Sequence, residues 1–265
     1  MTAPSEKSFF EESRTDIARQ VSEQMGQLDD GSTLPLSTRM AAACRILADE
    51  GHGRTLAGQV TARAPGENAF CTLPFDTGFA DARQSVMLRI DGSMRVLEGK
   101  GIPNPAVRFH MWIYDKMPHV NSIVHTHPPF ASALSMIGEE LVAAHMDATP
   151  FHDDCAYLPN WPGLPIGNDE GDTITRGLGS KRTILLAHHG LLTVGKSLEE
   201  AVYLAVLFEQ AAQLQMRARA VGEIRLIEPA LAKESHDFLL QREFIQATFK
   251  YWSRRILAIH PDLLT

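Results

Sequence analysis

The chain has 265 residues and is poor in the features that would suit disulfides, membranes or polyanions. Its three cysteines, Cys44, Cys71 and Cys155, lie far apart and form no CxxC pattern. That excludes a disulfide frame and suits a reducing compartment. No stretch approaches the roughly 18 uninterrupted apolar residues of a membrane-spanning helix. The amino-terminal MTAPSEKSFFEESRTD is polar and acidic and lacks the apolar centre of a signal peptide, so a cytoplasmic location is expected. Positive charge is also short. There are 25 Lys+Arg against 32 Asp+Glu, a net charge of −7, which gives no general grip on nucleic acid or on an anionic membrane surface. Repeats and low-complexity tracts are missing, and the length fits one α/β domain. What the chain has in excess is histidine: 11 in all, eight of them between His110 and His189.

Periodicity supplies the organisation. Residues 1–13 read as a polar arm, and 14–25 as a short helix that ends at the turn-rich GQLDDGST. In STRMAAACRILADE (37–50), Met40, Cys44 and Leu47 recur at helical steps, and Gly51 follows where a terminating glycine belongs. GQVTAR (58–63), AFCTL (69–73) and SVMLRI (85–90) have strand character, and Pro65-Gly66, Pro74 and Asp91-Gly92 punctuate them as antiparallel turns. Phe109, Ile113 and Met117 mark a helix over 106–117, closed by Pro118. NSIVHT (121–126) and TILLA (183–187) read as buried strands, and 150–168, with four prolines, as a long functional loop. Ser197 and Glu200 form a capping box that opens a helix to about residue 220. Helices over 229–240 and 241–258 finish the chain. Their Phe238, Leu239, Phe244, Phe249 and Trp252 serve either a subunit interface or the protein's own core. The expected fold is α/β: a single αβα sandwich with a central, mainly antiparallel sheet flanked by helices. Residues 1–25 form the arm and short helix, 26–225 the main domain, and 226–265 the carboxy-terminal helices.

The chemistry gathers at two strand exits. His125 and His127 form an HxH pair, and residues i and i+2 of a strand share a face, so both imidazoles reach one point. His188-His189-Gly190 follows the TILLA strand, where neighbours point oppositely and one of the two joins the cluster. Three imidazoles on one ion leave a coordination position open, as in a catalytic metal site.

NSIVHTHPPFASALS (121–135) and HHGLLTVGKSLEEAVYLAVLFEQAAQLQ (188–215) carry a resemblance to the class II aldolase/adducin family, covering roughly residues 37–220. The resemblance implies metal ligands His125, His127 and His189. It also implies zinc or another divalent ion (iron or manganese being the alternatives), a small-molecule substrate and a homotetramer. Relative to the family's sugar-phosphate aldolases, Asn104-Pro105-Ala106 replaces a Ser-Ser-Glu run that holds phosphate and supplies the acid–base carboxylate. Gly58-Gln59-Val60-Thr61 partly matches the phosphate turn, and Met146 falls near the catalytic tyrosine. These departures resemble the adducin-type branch. The expected activity is therefore a divalent-metal-dependent lyase on a small hydroxy- or keto-carboxylate or a sugar-like substrate, by aldol-type cleavage or decarboxylation through an enediolate. The alternatives are an iron(II) oxygenase on the same three histidines, or a non-catalytic binding domain. With no acid at Ala106, proton transfer is expected from His152, Asp153 and Tyr157 in the long loop. Asp154, His145 and Asp147 are further candidates, and Arg63 and Arg108 are candidates for pairing with a substrate anion.

Overall fold

The computed structural model describes residues 12–28, 34–161, 163–164 and 167–265. The expected arm falls almost wholly outside these residues, as does most of the GQLDDGST break. Helix α1 (Arg14–Met25) begins where Ser13 accepts a hydrogen bond from the backbone N–H of Asp16. Eight strands form one sheet: β1 (Gln59–Arg63), β2 (Ala69–Thr72), β3 (Leu88–Asp91), β4 (Val96–Glu98), β5 (Ser122–Thr126), β6 (Cys155–Leu158), β7 (Thr183–Leu186) and β8 (Gly190–Gly195). They lie in the order β4-β3-β2-β1-β5-β8-β7-β6. Neighbours are antiparallel except β6 and β7, which run parallel.

The period of two decides the layering. Along β5, Ile123 faces one side and Val124 the other; along β7, Ile184 and Leu185 divide likewise. One face packs α2 (Leu36–Asp49), α6 (Leu198–Arg219) and α8 (Arg242–Ile259) through Cys44, Leu47, Leu204, Phe208 and Phe249. The other packs α3 (Val107–Lys116) and α5 (Asn168–Leu178) through Phe109, Ile113, Ile174 and Leu178. Each fully buried side chain of this size adds about 1.5–3 kcal/mol. The αβα sandwich is therefore as expected. No helix among the described residues is long and apolar enough to cross a membrane.

Several elements depart from expectation. Residues 84–86 form a 3-10 turn, because Ser85 bonds to the carbonyl of Thr265, and the strand starts only at Leu88. The loop expected over 150–168 contains β6, whose residues are all only half-buried; an edge strand has no clean apolar alternation to betray it. α5 follows that loop in a stretch for which the sequence pattern carries no expectation. Gly171 is needed there, since a Cβ would come 3.0 Å from the Trp112 ring. The Ser197 hydroxyl accepts from Glu200 N–H as a cap should, but the Glu200 carboxylate takes the N–H of Lys196, one residue before the capping-box donor. α7 (Pro229–Leu239) and α8 turn most of these apolar groups inward: Leu239 and Phe249 are buried, and Trp252 stacks on Tyr203 at 6.1 Å. These side chains cover the chain's own core.

Candidate metal centre

β5 delivers His125 to its carboxy-terminal end, opposite Gln59 of β1 and Leu192 of β8. His125 is 1% exposed, and its Nδ1–H donates to the Leu191 carbonyl at 2.9 Å. That bond fixes the tautomer and leaves the Nε2 lone pair free. His127 lies just past the strand, its Nε2 3.1 Å from His125 Nε2. His189 arrives from the tight turn between β7 and β8. The facing atoms of His125, His127 and His189 all lie within 4.8 Å of one another, and the ring centroids are 4.6–5.0 Å apart. His127 and His189 are half-buried, so the cluster has a covered back and an open front.

Burial, followed by the neighbouring His189 and His127, holds His125 well below the usual imidazole range. Burial also lowers His127, and burial with the neighbouring His127 brings His189 to about 4. At neutral pH the cluster is therefore three uncharged imidazoles converging on one point. An ion bound at about 2.0–2.1 Å from each nitrogen in tetrahedral geometry needs nitrogens roughly 3.4 Å apart. The His125 and His127 nitrogens are 3.1 Å apart and all three donors lie within 4.8 Å of one another, so the residues fit a divalent ion with only a small inward shift of the half-buried rings.

Residues around the cluster hold it in place. A Cβ at Gly190 would come 2.5 Å from the Thr126 carbonyl and 2.6 Å from His127 Cδ2, so only glycine lets β8 pass this close. His52 is buried, and its Nδ1 lies 2.8 Å from the hydroxyl of Thr126, the residue between the two β5 histidines. Phe109 presents its ring edge-on to His125 at 5.3 Å. His188 is exposed, as expected of one member of the pair, but for a different reason. Residues 187–189 form a turn, not a strand continuation, and His188 takes a left-handed backbone (φ 56°) that turns it away.

The role of His52 and the packing role of Gly190 are not marked in the sequence. HHG hints at Gly190, but His52 carries no local signal, because Thr126 is 74 residues away.

The substrate-side positions have structural partners. Asn104 donates to the Leu56 carbonyl at 2.9 Å and accepts from Ala106 N–H at 3.0 Å, close to the start of α3. Thr61 is fully buried, with its hydroxyl 2.9 Å from both His110 Nδ1 and the Tyr114 hydroxyl. Gln59 donates to the Ala57 carbonyl, and its buried Oε1 has no hydrogen-bond partner among the described residues. Arg63 lies at the far end of β1 from Gln59, its guanidinium 5.0 Å from the Phe70 and Tyr114 rings. Arg108 is exposed and bonds Asn168.

His152, Asp153 and Tyr157 gather elsewhere. With Glu140, Cys155 and Lys181 they line a cavity of about 250 Å³ whose lining includes none of the three clustered histidines. His152 Nε2 is 3.6 Å from Asp153 Oδ2, and the Asp153 side chain is 90% exposed. Asp154 is buried and paired with Arg182 and His236. His145 is exposed and sits beside Asp147.

Residues 38–216 match the family described as the Class II Aldolase and Adducin N-terminal domain. The chain is similar to Decarboxylase NovR of Streptomyces niveus, 29% identical and covering 87% of each chain. It is also 28% identical to the 4-hydroxy-3-prenylphenylpyruvate oxygenase/4-hydroxy-3-prenylbenzoate synthase of Streptomyces roseochromogenus subsp. oscitans, over 86% of this chain and 84% of that one. Among solved structures it resembles L-fuculose 1-phosphate aldolase from Glaciozyma antarctica PI12, with a TM-score of 0.79 and 27% identity over 87% and 92% of the two chains.

Proposed function

The chain belongs to the class II aldolase and adducin family, and on that premise we propose that it is a divalent-metal-dependent lyase. It would cleave or decarboxylate a small hydroxy- or keto-carboxylate, or a sugar-like substrate. The observation that carries this reading is the convergence of His125, His127 and His189 with one open side. Zinc is the favoured ion, with iron or manganese as alternatives, since uncharged imidazole suits all of these better than magnesium or calcium. A divalent cation held there supplies Lewis-acid stabilisation of the negative charge that develops on a substrate oxygen as the C–C bond breaks.

The chain's own groups do the rest. The His125–Leu191 hydrogen bond orients the innermost imidazole and raises its basicity. Asn104 and Thr61 are engaged with their own chain, which turns the proposal away from phosphorylated substrates. His152, Asp153 and Tyr157 are the proposed proton-transfer groups, and since within one chain they line a separate cavity, they would serve a metal centre across a subunit contact of the proposed tetramer. A homotetramer is proposed too, supported by the exposed apolar Met136, Ile137 and Met146.

Elemental analysis tests the metal: purified protein should carry a stoichiometric divalent ion that a His127→Ala variant lacks. Normal metal content in that variant would sink the assignment. Tyr157→Phe and His152→Ala should keep the metal and lose roughly 100-fold or more in turnover if these groups move protons. Unchanged turnover would remove them from the mechanism.

A second reading, an iron(II) oxygenase on the same histidines, draws on the relative whose name includes an oxygenase activity. Oxygen uptake by anaerobically purified, iron-loaded protein would favour it, and oxygen-independent turnover with zinc would exclude it. A non-catalytic adducin-like role would gain ground only if metal-loaded protein failed every turnover screen.

A further inference from the structure

Only Pro128 separates His127 from α4 (Pro129–Ile137), which opens on a second proline, and that helix has no side-chain cap of its own making. The first-turn donors can be counted. Pro129 has no N–H, and Ser132 N–H closes the first turn on the Pro128 carbonyl at 2.9 Å. Phe130 and Ala131 remain, and both give their N–H to one side chain, Glu209 of α6. Oε1 accepts from Phe130 at 2.8 Å, and Oε2 accepts from Phe130 at 3.1 Å and Ala131 at 2.8 Å. Glu209 is only 6% exposed. A buried carboxylate thus meets the positive end of a helix dipole and satisfies every donor left open there.

The geometry points to Glu209 as a positioning residue for the metal centre: it pins the start of α4 and, through Pro128 and Pro129, fixes where His127 stands. The inference rests on the three-histidine reading above. Pro128 and Pro129 have ring-locked φ, so little freedom lies between the pinned helix and the His127 backbone. On its other flank His127 meets Gly190 in the close approach already described. His127 is therefore held between a backbone contact on one side and a charge-capped helix on the other, while His125 sits within the strand itself. Releasing the cap frees the one ligand that lies outside regular structure on this arm of the site.

Glu209→Gln tests this with little change of shape. The carboxamide keeps one acceptor but turns an N–H₂ toward a backbone donor. Glu199→Gln is the control, because Glu199 is also a buried carboxylate on α6 but pairs with Arg39, near the start of the helix and away from α4. Co²⁺ titration of the full chain, followed by the d–d absorption of the bound ion, should show Glu209→Gln binding about 10–100-fold more weakly than wild type, the range for losing an outer partner of a metal ligand. Glu199→Gln should bind as wild type does. Equal Co²⁺ affinity in Glu209→Gln and wild type would overturn the inference. If Glu209→Gln does not fold, Glu209→Asp replaces it, with a smaller loss expected and an unchanged affinity again overturning it. Wild-type protein that takes up no Co²⁺ would defeat the metal reading instead. The positioning role would then rest on metal-free protein: amide exchange at Phe130 and Ala131 and the His127 ring resonance should change in Glu209→Gln and not in Glu199→Gln, and identical behaviour would end it.

Discussion

The histidine cluster and the β6 edge, both rich in titratable side chains, are built on opposite terms. At the cluster each histidine is tied to fixed backbone or desolvated by packing. His125 is locked to Leu191, His127 is held against Gly190, and His52 and His110 are buried behind them with neutral rings. At the β6 edge the groups are held by one another's charges across a graded exposure: buried Asp154 with half-buried Arg182 and His236, and half-buried His152 beside exposed Asp153. One region fixes an arrangement by excluding water; the other balances charges that water can screen. The first suits a constant chemical core, and the second a surface that can vary with substrate or assembly.

The contrast is sharpest in acid. Burial pushes His52 and His110 down to about 3. A histidine lowered below its unfolded value near 6.5 binds fewer protons when folded, so its contribution is fully present above that value and is lost as pH falls. Each such group costs about 1.4 kcal/mol per pH unit between 6.5 and its folded value. His52 and His110 together should therefore remove at least about 3 kcal/mol per unit, a large share of a typical 5–15 kcal/mol stability, and the lowered His125, His127 and His189 add to the loss in metal-free protein. Denaturant melts of metal-free protein at pH 6.5, 5.5 and 4.5 should fall this steeply. A flat profile would mean that these rings are solvated.

A pair of glycine substitutions separates stability from the site. Gly190→Ala and Gly195→Ala both force a Cβ into backbone, at 2.5 Å from the Thr126 carbonyl and at 2.7 Å from Ala201 N and the Ser197 carbonyl. Each should cost about 1–3 kcal/mol in unfolding free energy. Only Gly190→Ala displaces His127, so only it should also lose metal content in elemental analysis. If both variants kept their metal, the close packing at Gly190 would be a feature of folding alone.

The cluster was the more legible of the two regions in sequence. β5 and β7 are short apolar runs, and HxH at a strand exit needs no partner to be seen. Strand alternation predicts only that one of His188 and His189 joins the cluster, and the family resemblance points to His189; in the fold a left-handed turn residue at His188 turns that ring away. What stayed hidden was tertiary: Glu209 reaches α4 across 78 residues, and nothing local distinguishes it from an exposed helix carboxylate. At the β6 edge the strand itself was missed. Its half-exposed residues follow no period, and the prolines around it read as loop. Thr61 shows the converse. In sequence it belongs to a turn that elsewhere holds phosphate, yet its hydroxyl is buried on His110 and Tyr114, a use only the packing reveals.

The smallest expected effect tests the other side of the comparison. His236 of α7 lies with Nε2 3.4 Å from Asp154 Oδ2 and Nδ1 2.8 Å from Asp237 Oδ1. The hydrogen bond to Asp154 is the main cause that raises its pKa above the usual value. Burial alone would raise Asp154, but hydrogen bonds from His236 and the Arg182 backbone outweigh it and leave that carboxyl lowered. A raised histidine contributes fully below about 6.5 and fades as pH climbs through its folded value, the reverse of His52 and His110. Lys233 also bonds Asp237, and Arg182 bridges Asp154 and Glu200, so the network keeps most of its charge when His236 loses its proton. The exposed half of the network is screened, which limits the gain to about 0.5 kcal/mol. His236→Gln should therefore melt slightly below wild type at pH 6, with the gap narrowing across the range above the ordinary imidazole value as pH rises. A constant gap across that range would show that His236 holds α7 by packing, and the β6 edge would then be fixed in the same way as the cluster.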